Sequence, residues 1–268
     1  MKIVEYRMVL PIPIDLCRKA AFYSVMKRTQ QETKNGDGFE YLKTHDFEVD
    51  GKIGHYIERV LHFKRQIPSY LRWSLPDKYA HLHEVNTNCF PHTKAVFTIE
   101  GMGEDFLLIT ETMYTEIDKS TFILPENPVN LNEEELKLRE IVYIDILNGP
   151  LYKKEFDLHG FSCPEAGISE LTASDPSYNQ NEIPKWALEY PGTLTLCTKV
   201  IRFLFRWKGL QTIVENLVAN TVWYRVYSDS HRAMVLWSPE WFKMSNEDML
   251  KMEGNIKQEL SEADIDKN

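Results

Sequence analysis

The stretch Ile201-Arg202-Phe203-Leu204-Phe205-Arg206-Trp207-Lys208-Gly209-Leu210-Gln211, with its continuation to Trp237, decides how the chain is read. Its first part alternates. Lys199, Ile201, Phe203, Phe205 and Trp207 fall on one face of a strand, while Arg202 and Arg206 point the other way with Leu204 between them. After Gly209 the period lengthens. Leu210, Ile213, Val214, Leu217, Val218, Thr221, Tyr224, His231 and Val235 recur at three and four residues, the stripe of an amphipathic helix. No proline interrupts it before Pro239. The spacing therefore predicts one helix roughly 40 Å long at about 1.5 Å per residue. Such a helix, fed directly by an aromatic strand, needs a broad apolar surface to lie on. A curved sheet gripping one long helix answers that need.

The segments upstream supply the sheet. Residues 2–10 read as a strand ended by Pro11 and Pro13, and Asp15 caps a helix running through Leu16, Ala20, Tyr23 and Lys27. Asn35-Gly36-Asp37-Gly38 stops it. Strands at 39–49 and 52–64 meet at Asp50-Gly51, a strong hairpin signal. A short helix or turn is expected at 68–75. Then 79–90, 92–100 and 105–115 form a three-strand meander broken at Pro91 and at Gly101-Met102-Gly103. Residues 116–132 read as loop. Asn132 caps a helical turn at 133–138, and Ile141 to Ile146 is an apolar strand. Residues 149–191 have no sustained period, and a loop that long is often functional. The final strand is 193–207. Ser245-Asn246-Glu247-Asp248 opens a last helix with Met249, Met252, Ile256 and Leu260 on one side. Seven or eight strands, mostly antiparallel by their short connections, precede the long helix, which predicts an α+β fold. The expectation is a single domain spanning 1–268, with a long loop at 149–191, a C-terminal helix at 245–262 and a frayed tail at 263–268.

Composition narrows the function. With 268 residues and 43% apolar residues, the chain supports a sizeable core. A net charge of −9 argues against a nucleic-acid binder, which needs a basic footprint. Cys17, Cys89, Cys163 and Cys197 lie far apart without a CxxC pair, the usage of a reduced, cytoplasmic protein. The N-terminus has no apolar signal core, and no run approaches the ~18 apolar residues of a membrane span.

Catalytic motifs are scarce. There is no G-x-S-x-G, no phosphate-cradling glycine loop and no H-E-x-x-H. His81 and His83 share a strand face, but no Cys or further His stands near enough in sequence to complete a metal set. Cys89 has no partner base in sequence and reads as a buried thiol. Asp145, in an apolar strand, reads as an acid on the solvated face. The chain does not read as an enzyme, and no metal or cofactor is expected. The cations on strand faces say more. Arg59 shares a side with Ile57, Leu61 and Phe63, and Lys199 heads the face of Ile201, Phe203, Phe205 and Trp207. A cation inside such a face needs an anionic partner, because burying it alone is costly. An amphiphile with an anionic head fits a cavity that is apolar along its length and cationic at one end. Strand-end side chains that snorkel to water are the alternative.

At these residues the sequence resembles a class I phosphatidylinositol transfer protein over nearly its whole length. The likeness is carried by Glu5-Tyr6-Arg7-Met8-Val9-Leu10-Pro11, Phe22-Tyr23-Ser24-Val25, Gly54-His55-Tyr56, His83-Glu84 and Asn88-Cys89-Phe90-Pro91. It continues in Glu104-Asp105-Phe106-Leu107, Val142-Tyr143-Ile144-Asp145-Ile146, the run 207–216 and Met252-Glu253. The resemblance implies a START-like helix-grip fold enclosing one phospholipid under a lid of loop and C-terminal helix. It further implies transfer between membranes without catalysis. In the family, inositol is met by a threonine and a lysine on one strand, an asparagine and a C-terminal glutamate; those positions fall on Ile57, Arg59, Asn88 and Glu253. Arg59 exchanges a compact ammonium for a planar fork. Ile57 lacks a hydroxyl worth ~0.5–1.5 kcal/mol. Of the phosphate-contacting positions, Thr112 and Lys199 are kept, while Ala21 and Ala95 replace a glutamine and a threonine. The family's paired tryptophans at the membrane-docking tip appear as Trp207-Lys208, with Arg206 and Arg202 expected to attract anionic headgroups.

The expected cargo is phosphatidylinositol or phosphatidylcholine, and the expected partner a transient membrane surface. A monomer is expected, cytoplasmic by its cysteine usage and peripheral at membranes. The alternative is a START-like carrier or sensor of a different lipid, such as phosphatidic acid, with inositol specificity lost. Each buried CH₂ is worth ~0.8 kcal/mol, so lifting about thirty from a bilayer costs on the order of 24 kcal/mol unless the protein buries them equally well.

Overall fold

The computed structural model describes residues 1–34, 39–62, 81–207, 209 and 211–265. The expected turn at 68–75, Lys208, Leu210 and the end of the tail lie outside the described residues. Eight strands form one open sheet: β1 (Lys2–Leu10), β2 (Phe39–Val49), β3 (Lys52–His62), β4 (His81–Cys89), β5 (His92–Thr98), β6 (Phe106–Glu116), β7 (Arg139–Tyr143) and β8 (Thr195–Phe205). Their order is β2-β3-β4-β5-β6-β8-β1-β7. Every neighbouring pair is antiparallel except β1 with β7. The β2–β3 turn places Asp50 at φ 51° and Gly51 at φ 72°, the left-handed pair that matches the twist of a tight hairpin. Behind it Phe47 lies across Gly54, where an added Cβ would stand 2.3 Å from the ring.

Helix α1 (Ile14–Lys34) follows β1, α2 (Glu133–Leu138) precedes β7, and α3 (Lys185–Glu189) precedes β8. After β8 the chain runs as α4 (Gln211–Leu217), a π-helical segment (Val218–Val222) and α5 (Trp223–Leu236). Short α6 (Ser238–Trp241) and the final α7 (Asn246–Ile265) complete the described chain. The long helix lies against the sheet. Tyr6 of β1 meets the rings of Tyr224 and Tyr227 edge-on at 6.5 and 5.5 Å. Within the π turn Thr221 is exposed, and beyond it the expected stripe holds: Tyr224, His231 and Val235 are buried, with Tyr227 in phase between them.

The outer face of the central strands is closed by the segment 129–138. Val129 and Leu131 pack on Ile3 and Val200, with Leu136 and Met113 at the margin. Helix α2 is built by its cap. Asn132 accepts from the backbone N–H groups of Glu134 and Glu135, and Glu135 Oε2 accepts from the N–H of Asn132 at 3.0 Å. Helix α7 opens the same way, with Ser245 and Asp248 capping each other.

The strand expected at 141–146 ends at Tyr143. Asp145 is not on a solvated face but only 2% exposed. It accepts from the N–H groups of Leu147 and Asn148 and from Trp186 Nε1 at 2.9 Å. Arg232, equally buried, donates to the Gly149 carbonyl at 2.8 Å. These bonds fasten the irregular segment 149–191 to the end of β7 and to α5.

Candidate functional site

Residues paired across neighbouring strands point to the same side of a sheet. The register therefore sorts the inner face, the one that carries the helix, into rows. The first row runs Asp46, His55, Asn88, Thr93, Thr112, Lys199 and Tyr6 across seven strands. The second runs Thr44, Ile57, Asn86, Ala95, Thr110, Ile201 and Val4. The third runs Tyr41, Arg59, Glu84, Phe97, Leu108 and Phe203. Beyond it stand Leu61 with Leu82, and Phe106 with Phe205. One end of the face is a polar band. The other is hydrocarbon, interrupted by one charged pair.

Lys199 is the cation of the polar band. Its Nζ donates to Thr112 Oγ1 at 2.9 Å and lies 5.2 Å over the ring centre of Tyr227. No carboxylate among the described residues comes within ion-pair distance of it. Burial lowers its pKa, yet the side chain keeps accessible surface. The ammonium therefore stands, only partly covered, on the face of the sheet that carries the helix. Its partners are a hydroxyl and a π face, neither of which supplies a negative charge.

Arg59 is different. Its Nε donates to Glu84 Oε2 at 2.6 Å, and Glu84 is 2% exposed. Burial alone would lower the Arg59 pKa; Glu84 and Tyr41 outweigh it and the shift is upward. The anionic partner expected for this cation is thus a neighbouring side chain. Asn86 donates to the other oxygen of Glu84 at 3.2 Å, and Ile57 stands between this pair and the polar band.

Helix α7 closes the β2–β3 side of the face. Met252 and Ile256 pack with Met26, Phe22 and Tyr41, which brings α7 between α1 and the sheet. The same turn aims Glu253 inward, 5% exposed. Its Oε1 lies 2.8 Å from Lys257 Nζ and 3.3 Å from His55 Nε2. Burial pushes the Glu253 pKa up, but the bonds from His55 and Lys257 prevail and hold it below the ordinary value. Lys257 also donates to Thr44 Oγ1 at 3.0 Å. On β4, Asn88 Oδ1 accepts from Thr93 at 3.2 Å. The structure thus brings Ile57, Arg59, Asn88, Thr112, Lys199 and Glu253 to one concave face. Ala95 is buried in its second row and Ala21 sits on α1 at the core margin.

The tip beyond β8 is less uniform. Trp207 is half-buried, packed on the core and stacked on Phe205 at 6.2 Å. Arg206 is exposed, and its backbone N–H donates to the Asp105 carbonyl at 2.7 Å. Both line an open depression of about 500 Å³ with Gly209, Gln211 and Thr212. Arg202 does not belong to this tip. It turns to the outer face, where Nε donates to Glu135 at 2.5 Å and Nη1 donates to Glu111. Its side chain is 11% exposed, so it has no free charge to offer a headgroup.

His83 pairs with Glu58 at 2.9 Å, and no metal-ligand cluster occurs among the described residues. Cys89 is a half-buried free thiol. A thiol–imidazole pair that the sequence did not reveal joins Cys197 Sγ to His231 Nε2 at 3.6 Å. Burial lowers the His231 pKa to about 3 and raises that of Cys197, so both stay neutral. Sequence reasoning also missed His55, Glu84, Lys257 and Tyr227. Period 2 already put His55 beside Ile57 and Arg59, and Glu253 with Lys257 is an i, i+4 pair. Tyr227, three residues after Tyr224 and four before His231, was also within reach of the helical period.

A polar band with an unmatched ammonium, a hydrocarbon band and a closing helix are the geometry to set beside known proteins. A family model described as "Phosphatidylinositol transfer protein" matches residues 1–258. The chain belongs to the phosphatidylinositol transfer protein family. Phosphatidylinositol transfer protein 2 of Dictyostelium discoideum is 31% identical over 263 residues, 97% of this chain and 96% of its own. The human phosphatidylinositol transfer protein beta isoform is 30% identical over 262 residues, 96% of this chain and 93% of its own. This family membership agrees with the helix-grip arrangement of sheet and helix. No helix among the described residues is long and apolar enough to cross a membrane.

Proposed function

We propose that this family member carries one phosphatidylinositol molecule in the space between the sheet and its helices and exchanges it between membranes. The observation that carries the reading is Lys199: a desolvated ammonium on the inner face whose described partners are Thr112 and the Tyr227 ring. A phosphodiester supplies the missing charge, and charge-assisted bonds are about twice as strong as neutral ones. The acyl chains then lie along Phe97, Leu108, Phe203, Phe106 and Phe205. Asn88 and Glu253 offer acceptors to the inositol hydroxyls, with Arg59 held to the side by Glu84. Phosphatidylcholine shares the phosphate and the chains, and is a second cargo for the same seat. Family membership favours phosphatidylinositol over a carrier for an unrelated lipid.

Helix α7 acts as the lid, and the tip bearing Trp207, Arg206 and Lys208 meets the membrane; Arg202 has no part in it. Exchange costs little net free energy, because each CH₂ worth ~0.8 kcal/mol leaves one apolar setting for another. The reading is of a carrier and not an enzyme, since the interior thiol and imidazole are kept neutral and poorly reactive.

Native mass spectrometry of the purified chain tests the cargo. A co-purified phosphatidylinositol or phosphatidylcholine, with transfer of labelled phosphatidylinositol between vesicles, is expected. An empty chain that moves neither lipid overturns the reading.

A further inference from the structure

His55 stands between two carboxylates from different elements. Nδ1 lies 2.7 Å from Asp46 Oδ1 on β2, and Nε2 lies 3.3 Å from Glu253 Oε1 on α7. A carboxylate is an acceptor only, and a neutral imidazole has one N–H to give. One of the two contacts is therefore satisfied in the neutral ring, and the other sets a lone pair against an oxygen. Only the doubly protonated ring donates to both. The geometry is that of a clasp between the hairpin and the closing helix, complete in one protonation state.

We propose that His55 is the positioning residue for Glu253, orienting that carboxylate and latching α7 onto the β2–β3 hairpin while the imidazole carries both protons. The inference rests on the carrier reading for its effect on lipid exchange, but not for the latch itself. The groups that face His55 are Asp46 on β2, Glu253 on α7 and the uncharged Asn88 on β4, its cross-strand partner. Lys257 reaches Glu253 from the next turn of α7 at 2.8 Å and keeps it ionised without competing for a proton. The bond to Glu253 raises the His55 pKa, burial opposes it, and Asp46 adds to the rise. Glu253 is buried and Asp46 is 71% exposed, so the contact to the closing helix dominates and the other is screened by water.

The sign follows from linkage. A histidine whose pKa is higher in the closed state than in the open one stabilises closure below its ordinary value of about 6.5. That stabilisation is lost as pH rises through the raised value. Closure is tightest in mild acid, and lipid exchange quickens toward alkaline pH. On the far acid side the latch fails only when Glu253, held below its ordinary value, takes up a proton.

The experiment measures transfer of fluorescent phosphatidylinositol from phosphatidylcholine donor vesicles to phosphatidylcholine acceptors between pH 5.5 and 8.5. Hydrogen-exchange protection of α7 is recorded in parallel, corrected for intrinsic rates. In the wild-type chain both transfer and α7 opening are expected to rise severalfold with pH. In His55→Gln, which keeps one donor and no titration, both profiles flatten. An unchanged pH profile in His55→Gln, or none in the wild type, overturns the proposal. If no phosphatidylinositol moves at any pH while α7 opening still follows His55, the latch stands and the carrier reading falls. Should His55→Gln fail to fold, the wild-type His55 resonance decides by NMR. A pKa above 6.5 with α7 closed supports the latch, and one at or below 6.5 overturns it.

Discussion

Lys199 and Arg202 lie three residues apart on β8 and face opposite sides of the sheet. On the outer side Arg202 is clamped by Glu111 and Glu135. On the inner side Lys199 has a threonine and an aromatic face. The two have similar charge, similar burial and the same strand, so their difference lies in what surrounds them. A buried cation matched by carboxylates completes a structure; one that lacks them is, on the proposed reading, the seat of the lipid phosphate. Arg59 belongs with the first kind, its charge met by Glu84.

Substitution should separate the two cations. Lys199→Met is expected to have the largest effect on function. A charged bond worth ~1.5–3 kcal/mol corresponds to roughly a 10- to 150-fold loss of phospholipid affinity. Lipid occupancy by native mass spectrometry reads it, with thermal stability unchanged or raised. Full occupancy in that variant would erase the distinction.

Arg202→Met should do the reverse, lowering stability by about 1.5–3 kcal/mol because Glu111 and Glu135 each lose a charged hydrogen-bond donor, with transfer unchanged. Its acid limb sharpens the point. Burial pushes Glu111 up, but bonds from His92 and Arg202 prevail and hold it at about 2. A depressed carboxylate stabilises the fold above its ordinary value and loses that contribution as pH falls through the lowered one. Without Arg202 the loss should begin at higher pH in acid titrations followed by circular dichroism.

A smaller effect is expected at the tip. Trp207→Ala should slow vesicle transfer severalfold while leaving lipid occupancy intact; unaltered transfer would place the membrane contact elsewhere. Ile57→Thr is expected to be smallest. Restoring a hydroxyl beside Asn86 adds ~0.5–1.5 kcal/mol, or about 2- to 10-fold, to inositol-lipid loading over phosphatidylcholine. Equal gains for both lipids would mean that position 57 touches no inositol hydroxyl.

The architecture was legible because periods of 2 and 3.6 are local. The alternation at 199–207 told which β8 residues share a face, and Asp50-Gly51 marked the hairpin. Partners were not legible. Arg202 and Lys199 look alike in sequence, since Glu111 stands 91 residues from Arg202 and only folding sets them together. Asp145 was misjudged for the same reason. Its Oδ1 accepts from a turn and from Trp186, 41 residues away, which no strand pattern announces. The site residues on strands could be placed on one face by counting, whereas the role of His55 depends on a helix about 200 positions later.

Glu135 has two tasks, since one oxygen caps α2 and the other holds Arg202. A strand shifted by a single residue turns every side chain to the opposite surface. Such a slip of β8 would carry Lys199 into the apolar packing of the outer face and drag Arg202 into hydrocarbon on the inner one, and both breaches begin with tearing Arg202 from the capped helix. The small helix on the far side thus acts as a detent that keeps the charge on the near side in place.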